Sequence, residues 1–558
     1  MITRRNFSKG IAAAGGSLLL TAGDKSIANR NITQEKKKNV LFIVMDQERS
    51  WATLPKGLKL PARENFAKSG VSFDRYNISS LSCGPSRSVI YTGHHVQKTR
   101  LFNNPGKGDG GTDLIPEETP TLGQHFKNLG YKTAYKGKWH LSSVNNDKLQ
   151  DYTRELEPFG FDEWQEGPDS DGTLYEGAKK DASTLADAVN FLERQSNNEN
   201  AAQPWFLAVN FVNPHDIMWL DASGKQAETR LKPGLVSNMG PKLDEYPYNH
   251  DFGFDVPDNF KDDLTKKPDA QRLFIEQAQY FYGIQDMSDP EACRRVINYY
   301  AACLIDSDKI IQNLLDKVSE LKLDQDTIVI LTSDHGEMAG AHGLRHKGPF
   351  MYRENLNVPL VIRHPEGKVG ITDPTLFSSL DIVPTLLGLV GDDGYKLTSD
   401  LRGVDQSSHV INKGEVSNRS AILVNFSNTT QGNPKLDKMR LTSKPGTKFS
   451  FPDDFVQFEE RIMGRGIITK RYKFSRWFSP SDHHLPKDWY TLIGRNDLEL
   501  YDTQNDPLEL HNLANNLQKN RKTIMKLNFQ LNQLVEREVG DDLGAHLPGD
   551  KKLWSSDA

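Results

Sequence analysis

The chain has 558 residues, with 69 Lys and Arg against 74 Asp and Glu, giving a formal net charge of -5. That length allows several domains of roughly 100–200 residues each, and the near-neutral balance argues against a nucleic-acid binder, which carries a strong basic excess. Apolar and aromatic residues spread along the whole chain exclude disorder, 28 Pro and 43 Gly fit a loop-rich enzyme better than a helical bundle, and three cysteines cannot build a disulfide framework.

At the N-terminus Arg4-Arg5 is followed by Phe7 and Lys9, and then by an apolar run from Ile11 to Ala22. The run is too short for a bilayer-spanning helix, which needs about 20 residues. With the small-x-small triplet Ser26-Ile27-Ala28 it reads as an export signal over 1–28. The paired arginines resemble a twin-arginine signal. No other apolar run approaches the length of a membrane span, so the expectation is an exported protein, periplasmic or secreted, with no stable membrane insertion after signal removal.

Val40-Leu-Phe-Ile-Val-Met45 is a continuous apolar run, the mark of a buried strand in a parallel sheet. Trp205–Phe211 and Thr327–Thr332 repeat it. Each ends in a polar cluster: Asp46-Gln47, Asn213-Pro214-His215-Asp216 and Ser333-Asp334-His335. In open α/β sheets the active groups lie beyond the carboxyl ends of strands, so all three clusters are candidate site residues. A strand-like Tyr131–Tyr135 leads into Gly137-Lys138-Trp139-His140. The polar stretch 220–290, rich in Pro, Asp and Lys, reads as a long surface insertion. A helix is expected over about 291–321, with Cys293 and Cys303 as buried reduced thiols, and another at Leu380–Leu389. After about residue 415 the texture changes to short strand-like pieces, Ile422–Phe426, Arg465–Thr469 and Tyr472–Trp477, with a helix near 515–538. The expected fold is α/β: a large mixed, mostly parallel sheet sandwiched by helices over 36–414, and a smaller antiparallel-sheet-plus-helix subdomain over 415–558.

Residues 83–93 read Cys83-Gly84-Pro85-Ser86-Arg87-Ser88-Val89-Ile90-Tyr91-Thr92-Gly93. Pro85 suits the first turn of a helix. Cys83 would then stand at a helix N-terminus, where free N–H groups and the dipole favour negative charge. Arg87, one turn on, offers a planar fork to a tetrahedral anion. The segment resembles the signature of formylglycine-dependent sulfatases of the alkaline phosphatase superfamily, Cys-x-Pro-Ser-Arg followed by Thr-Gly. Only the usual Leu before Thr-Gly is replaced, by Tyr91. The resemblance runs from Asn39-Val-Leu-Phe-Ile to the tail Glu499-Leu-Tyr-Asp-x-x-x-Asp506-Pro-x-Glu509-x-x-Asn512-Leu-Ala, nearly the whole mature chain.

The resemblance implies an alkaline phosphatase-like sheet and a Cys83 oxidised to formylglycine by a maturation enzyme. One hydroxyl of the hydrated aldehyde would attack sulfur and the other would later expel the sulfate. It also implies one divalent cation, most often calcium, held by Asp46, Gln47, Asp334, His335 and the oxidised residue 83. The family's commoner pairs are Asp-Asp and Asp-Asn. Oxygen ligands suit a hard cation, and the nitrogen of His335 leaves an opening for manganese or zinc. This Asp-Gln and Asp-His version resembles some polysaccharide sulfatases and also phosphonate monoester hydrolases and phosphodiesterases, the alternative reading. By the same resemblance Lys138 clamps a sulfate oxygen, and His140 takes the proton of the second hydroxyl. The Lys138 and His140 pair opposes the phosphonate alternative. His215 lies near the leaving-group oxygen as a general acid, and Lys347, in His346-Lys347-Gly348-Pro349, contacts sulfate and leaving oxygen. His342 and His346 either line the pocket or cap a loop. Arg87, Lys138 and Lys347 with two carboxylates would form a dense charge network that a cation and an anionic substrate complete. The expected partner is a sulfated polysaccharide or oligosaccharide, with an algal galactan such as carrageenan as first choice and ulvan, fucan or glycosaminoglycan open. The 220–290 stretch with Trp477, His483-His484, Trp489 and Tyr490 either borders the sugar subsites or, for the aromatic residues, belongs to the C-terminal core.

Overall fold

The computed structural model describes residues 37–540 except 106–112, 144–153, 165–173, 198–202, 231–243, 392–399, 412–418, 428–437, 439–459 and 484. The export segment 1–28, the expected boundary at 414/415 and His484 therefore lie outside the described residues.

The apolar run at the start of the sequence is strand β1 (Asn39–Asp46), and all of it is buried. It is apolar on both faces because both faces are covered. Val40, Phe42 and Val44 point into one core; Leu41, Ile43 and Met45 point into another. The large sheet is completed by β2 (Val71–Phe73), β4 (Lys132–Gly137), β5 (Trp205–Pro214), β6 (Thr327–Ser333), β7 (Leu360–Arg363) and β8 (Ile371–Asp373), in the order β4-β5-β1-β6-β7-β2-β8. The first four strands in that order run parallel, and β7 enters antiparallel to both of its neighbours. Two short strands, β3 (Tyr76–Asn77) and β9 (Phe377–Ser378), pair separately.

Helix α1 (Cys83–Thr92) is entirely buried and lies on the first face of the sheet, where Ile90 and Tyr91 join the core of Val40, Phe42 and Val44. On the second face, Phe191 and Leu192 of α2 (Glu176–Ser196) and Ile311, Leu314 and Val318 of α4 (Pro290–Glu320) pack against Leu41, Ile43 and Val329. Cys293 and Cys303 are free and buried in α4.

The 220–290 stretch differs from the expected surface loop. It contains α3 (Asp269–Tyr282), and Leu220, Ala222, Tyr248 and Phe260 are buried against Val296, Ile297, Tyr299 and Tyr300 of α4. Its polar composition belongs to the outer faces; the residues that anchor it are apolar and sparse.

Strands β10 (Ile422–Phe426), β11 (Met463–Ile468), β12 (Tyr472–Phe478) and β13 (Asn496–Asp502) form an antiparallel sheet in chain order. Helix α5 (Leu517–Glu538) covers it, with Ile524, Leu527, Leu531 and Val535 against Leu423, Ile467, Phe474 and Leu500. β13 is an element the sequence reading left unassigned; it carries the Glu499-Leu-Tyr-Asp tail. Trp477 and Trp489 are buried, Trp477 donating from Nε1 to Glu499 Oε2 at 2.8 Å. Those two rings are core rather than sugar contacts. His483 is likewise buried, bonded to Arg465 at 2.9 Å, whereas Tyr490 is exposed.

Candidate active site

Parallel register decides which strand ends meet. Met45 of β1 faces Ser333 of β6, and Asp46 faces Pro214 of β5. Asp46-Gln47, Asp334-His335 and His215 therefore leave the sheet along one edge. β4 adds its end at the same level, with Gly137 opposite Asn210. Gly137 has φ +91°, and a Cβ there would sit 1.9 Å from the Asn210 carbonyl oxygen, so only glycine lets the chain turn into Lys138.

Cys83 opens α1 and points its sulfur into this edge. Sγ lies 2.7 Å from Lys347 Nζ, 3.2 Å from His335 Nε2 and 3.9 Å from Asp46 Oδ1. His140 also hydrogen-bonds it. Asp46 in turn holds Lys138 Nζ at 2.7 Å and Arg87 Nη2 at 3.5 Å. Asp334 accepts from Arg87 Nε at 2.8 Å and from the Gln47 backbone N–H at 3.1 Å. Lys347 Nζ donates to Gln47 Oε1 at 2.8 Å. Arg87, Lys138, Lys347, Asp46 and Asp334 are all buried, and each charge is met by an opposite one, as burial requires.

The charges shift one another. Burial and the nearby Asp46 push the Cys83 thiol up, but Lys347, Lys138 and the His140 hydrogen bond outweigh them, and its pKa falls below the ordinary thiol value. Burial opposes the Asp46 carboxylate, yet Lys138 and its other cationic neighbours hold it well below the usual range. His335 is pulled down to about 4 by burial, with Lys347 adding to the effect against Asp334. Its Nδ1 lies 2.9 Å from the Gly336 carbonyl, which accepts the Nδ1 proton and leaves the Nε2 lone pair facing Asp46, Asp334 and Cys83. His215 is also pushed well below its ordinary value, by burial first and then by Lys347 and Lys138.

Ligand atoms of Asp46, Cys83, Asp334 and His335 lie within 4.8 Å of one another. Two carboxylates, a neutral imidazole with its lone pair turned inward and the nearby Gln47 carbonyl make a donor set that fits one divalent cation.

Two residues absent from the sequence reading, Glu337 and Asn210, support this set, together with Tyr91, which was named there only as a departure from the signature. Glu337 accepts from Gln47 Nε2 and from the backbone N–H groups of Ala339 and His346, and so turns Gln47 Oε1 toward Lys347. Asn210 Oδ1 accepts from Arg87 Nη1 at 3.0 Å and from the Tyr91 hydroxyl at 2.9 Å. Tyr91, where the signature has Leu, thus holds the residue that holds Arg87. Glu337 left a trace in the sequence as an acid just beyond Asp334-His335, and Tyr91 as the departure from the signature; Asn210 left none. His342 and His346 are turned away from Cys83: His342 bonds Asp262 at 2.7 Å and stacks on Tyr352, and His346 contacts Gln285 and Met218. Gln47 and His140 both have left-handed backbone, φ 70° and 56°, a strain that gathers at working sites.

The family model described as Sulfatase matches residues 38–392, more than half the chain. The chain is 26% identical over 452 residues to an ulvan-active sulfatase of Formosa agariphila, covering 77% of this chain and 76% of that protein. It is 24% identical over 593 residues to an N-acetylglucosamine-6-O-sulfatase of Bacteroides thetaiotaomicron, covering 95% and 93%. A solved 2-O GAG sulfatase superposes with a TM-score of 0.65 at 22% identity, over 93% of this chain and 96% of that one. A phosphonate monoester hydrolase of Agrobacterium radiobacter shares the fold at a TM-score of 0.61 and 18% identity, over 90% and 96%. With the family model spanning both strand-end pairs and the Cys83 segment, the chain belongs to the sulfatase family, the type I sulfatases of the alkaline phosphatase superfamily, and is a sulfuric ester hydrolase.

Proposed function

We propose that the protein removes a sulfate ester from a sulfated polysaccharide or its oligosaccharides through a formylglycine made from Cys83. The observation that carries this is the place of the Cys83 sulfur, at the head of α1 and within 3.2 Å of both Lys347 Nζ and His335 Nε2. Once oxidised, residue 83 supplies a hydrated aldehyde, one hydroxyl to attack sulfur and one to release the sulfate. Asp46, Gln47, Asp334 and His335, with residue 83, would hold the cation, Ca2+ by its oxygen donors, which would polarise a sulfate oxygen. Arg87 orients both carboxylates, Asp46 and Asp334. Lys138 and Lys347 present ammonium groups to the sulfate oxygens, where preorganised charge stabilises the transition state. His140, bonded to residue 83, accepts the proton of its second hydroxyl. Lys347 and the neutral N–H of His215 donate toward the leaving sugar oxygen.

The names of the relatives, an ulvan-active sulfatase and an N-acetylglucosamine-6-O-sulfatase, support a glycan substrate. Carrageenan, the first choice from sequence, enters the test beside them. Sulfate release and product NMR on oligosaccharides of ulvan, carrageenan, heparan sulfate and chondroitin sulfate decide the substrate. Cys83→Ser is expected to abolish release, and the mass of the residue 83 peptide reads the aldehyde. Phosphonate hydrolysis is favoured by Gln47 and His335 but opposed by Lys138 and His140. Faster turnover of an aryl phosphonate than of every sulfate would replace the sulfatase reading. We further assign 1–28 to export, 36–414 to the catalytic part and 415–558 to a C-terminal subdomain; N-terminal sequencing of the exported protein checks the first.

A further inference from the structure

The loop that delivers Lys347 to Cys83 does more than present a lysine. Arg345, two residues earlier and buried, donates from Nη2 to the Ile217 and Leu220 carbonyls, both at 2.7 Å, and from Nη1 to Gln226 Oε1 at 3.1 Å. It thereby clamps the single turn His215–Trp219 that follows β5. Gln226 Nε2 passes the link on to the Tyr282 carbonyl at 3.1 Å. His346, between Arg345 and Lys347, stacks on the Tyr282 ring at 4.6 Å and 30°. Three consecutive residues thus tie the reaction centre to two aromatic rings.

Those rings connect to the site through His215. The His215 ring meets Trp219 edge-on at 6.1 Å, and Trp219 meets Tyr282 at 5.9 Å. Trp219 and Tyr282 are each partly exposed, unlike Trp477 and Trp489. The Trp219 indole N–H has no hydrogen-bond partner among the described residues although the atom is buried. A buried donor left unpaired is uncommon and calls for an acceptor. An aromatic body with a polar tip suits a ligand that offers both an apolar face and hydroxyls.

We propose that Trp219 and Tyr282 form a platform for the C–H face of a pyranose ring adjoining the scissile sulfate, with Trp219 N–H donating to one of its hydroxyls. This rests on the glycan reading of the same site and names the residues that recognise the sugar. The clamp by Arg345 keeps the platform in place before substrate arrives, which lowers the ordering cost of binding.

The test uses the matured full chain as wild type, Trp219→Ala, Trp219→Phe and Tyr282→Ala. On the best sulfated oligosaccharide of the panel, Trp219→Ala is expected to raise KM about tenfold with kcat changed less than about threefold, and Trp219→Phe to restore most of the loss. A KM for Trp219→Ala within about twofold of wild type overturns the platform. Tryptophan fluorescence titrated with the desulfated oligosaccharides of the same panel gives a second readout that needs neither turnover nor the alanine variant. Quenching in wild type that is lost in Trp219→Phe supports the platform, and its absence in wild type overturns it. Failure of wild type to release sulfate from any glycan would count against the glycan reading, while the fluorescence arm still decides the platform.

Discussion

Glu337 shows how a side chain that touches no substrate sets the site. Its carboxylate accepts from Gln47 Nε2, so the amide oxygen of Gln47 is the atom turned inward. Partners of metal ligands of this kind are typically worth about 10–100-fold in metal affinity. Glu337→Gln is expected to weaken Ca2+ binding by that order, read as the midpoint of a thermal-shift titration, with the fold retained. Asp216, beside His215, makes a second case. Burial pushes its carboxyl up to about 7 against the Gly177 and Ala178 N–H groups that would lower it. Both of its oxygens accept from Gly177 at 3.0 Å. A raised pKa means the folded state holds the proton more tightly. Its contribution to stability is full below the unfolded value of about 3.9 and is lost as pH rises through about 7. Asp216→Asn removes this titration, so the fall in thermal midpoint across that window should flatten; an unchanged slope would contradict the assignment.

Elements join through a few buried charges. Glu538 ends α5, where its charge opposes the helix dipole. It is kept there by Arg419, which donates to it at 2.7 Å, and by His95 at 3.2 Å. Arg419 also grips Asp381, so one network fastens the last helix to the turn before Ile382. Burial would raise the Glu538 pKa, but Arg419 and His95 draw it down to about 2. Glu538→Gln leaves Arg419 half-paired and is expected to cost about 3 kcal/mol in chemical denaturation at neutral pH. The elements themselves were largely legible. The expected strands at 40–45, 205–211 and 327–332 are β1, β5 and β6, and the helix expected over about 291–321 is α4. β13 escaped because Asn496–Asp502 is rich in acids and amides, and its burial comes from pairing with β12. α3 escaped because its apolar stripe sits inside a polar stretch.

At the scale of the whole molecule, the three cationic side chains Arg87, Lys138 and Lys347 meet three carboxylates, Asp46 and Asp334 directly and Glu337 behind Gln47. A network balanced in this way suits a cation and an anionic ester taken together. A bound cation would also cross-brace β1, β6 and α1, and a ligand at about 100 times its Kd stabilises a fold by about 2.7 kcal/mol. EDTA treatment is expected to lower the thermal midpoint and abolish sulfate release, with Ca2+ restoring both; a midpoint indifferent to EDTA and to Ca2+ would argue against a resident ion. Among the described residues no helix is long and apolar enough to cross a membrane.

The sequence by itself determined the local facts. Continuous apolar runs dictated strands buried on both faces, the Cys83-to-Gly93 segment carried its own helix start, and each strand announced a polar end. Those features depend on neighbours along the chain, where periodicity and propensity act. The tertiary structure decided what meets what. Gln47 and Asp334, 287 residues apart, touch because β1 and β6 are adjacent and in register. Glu337, Asn210 and Tyr91 became parts of the site only through that closeness. Trp477 and Trp489 went to the core while Trp219, beside His215, and Tyr282 stayed partly exposed, because side-chain burial follows from which surfaces stack, and no local pattern encodes that.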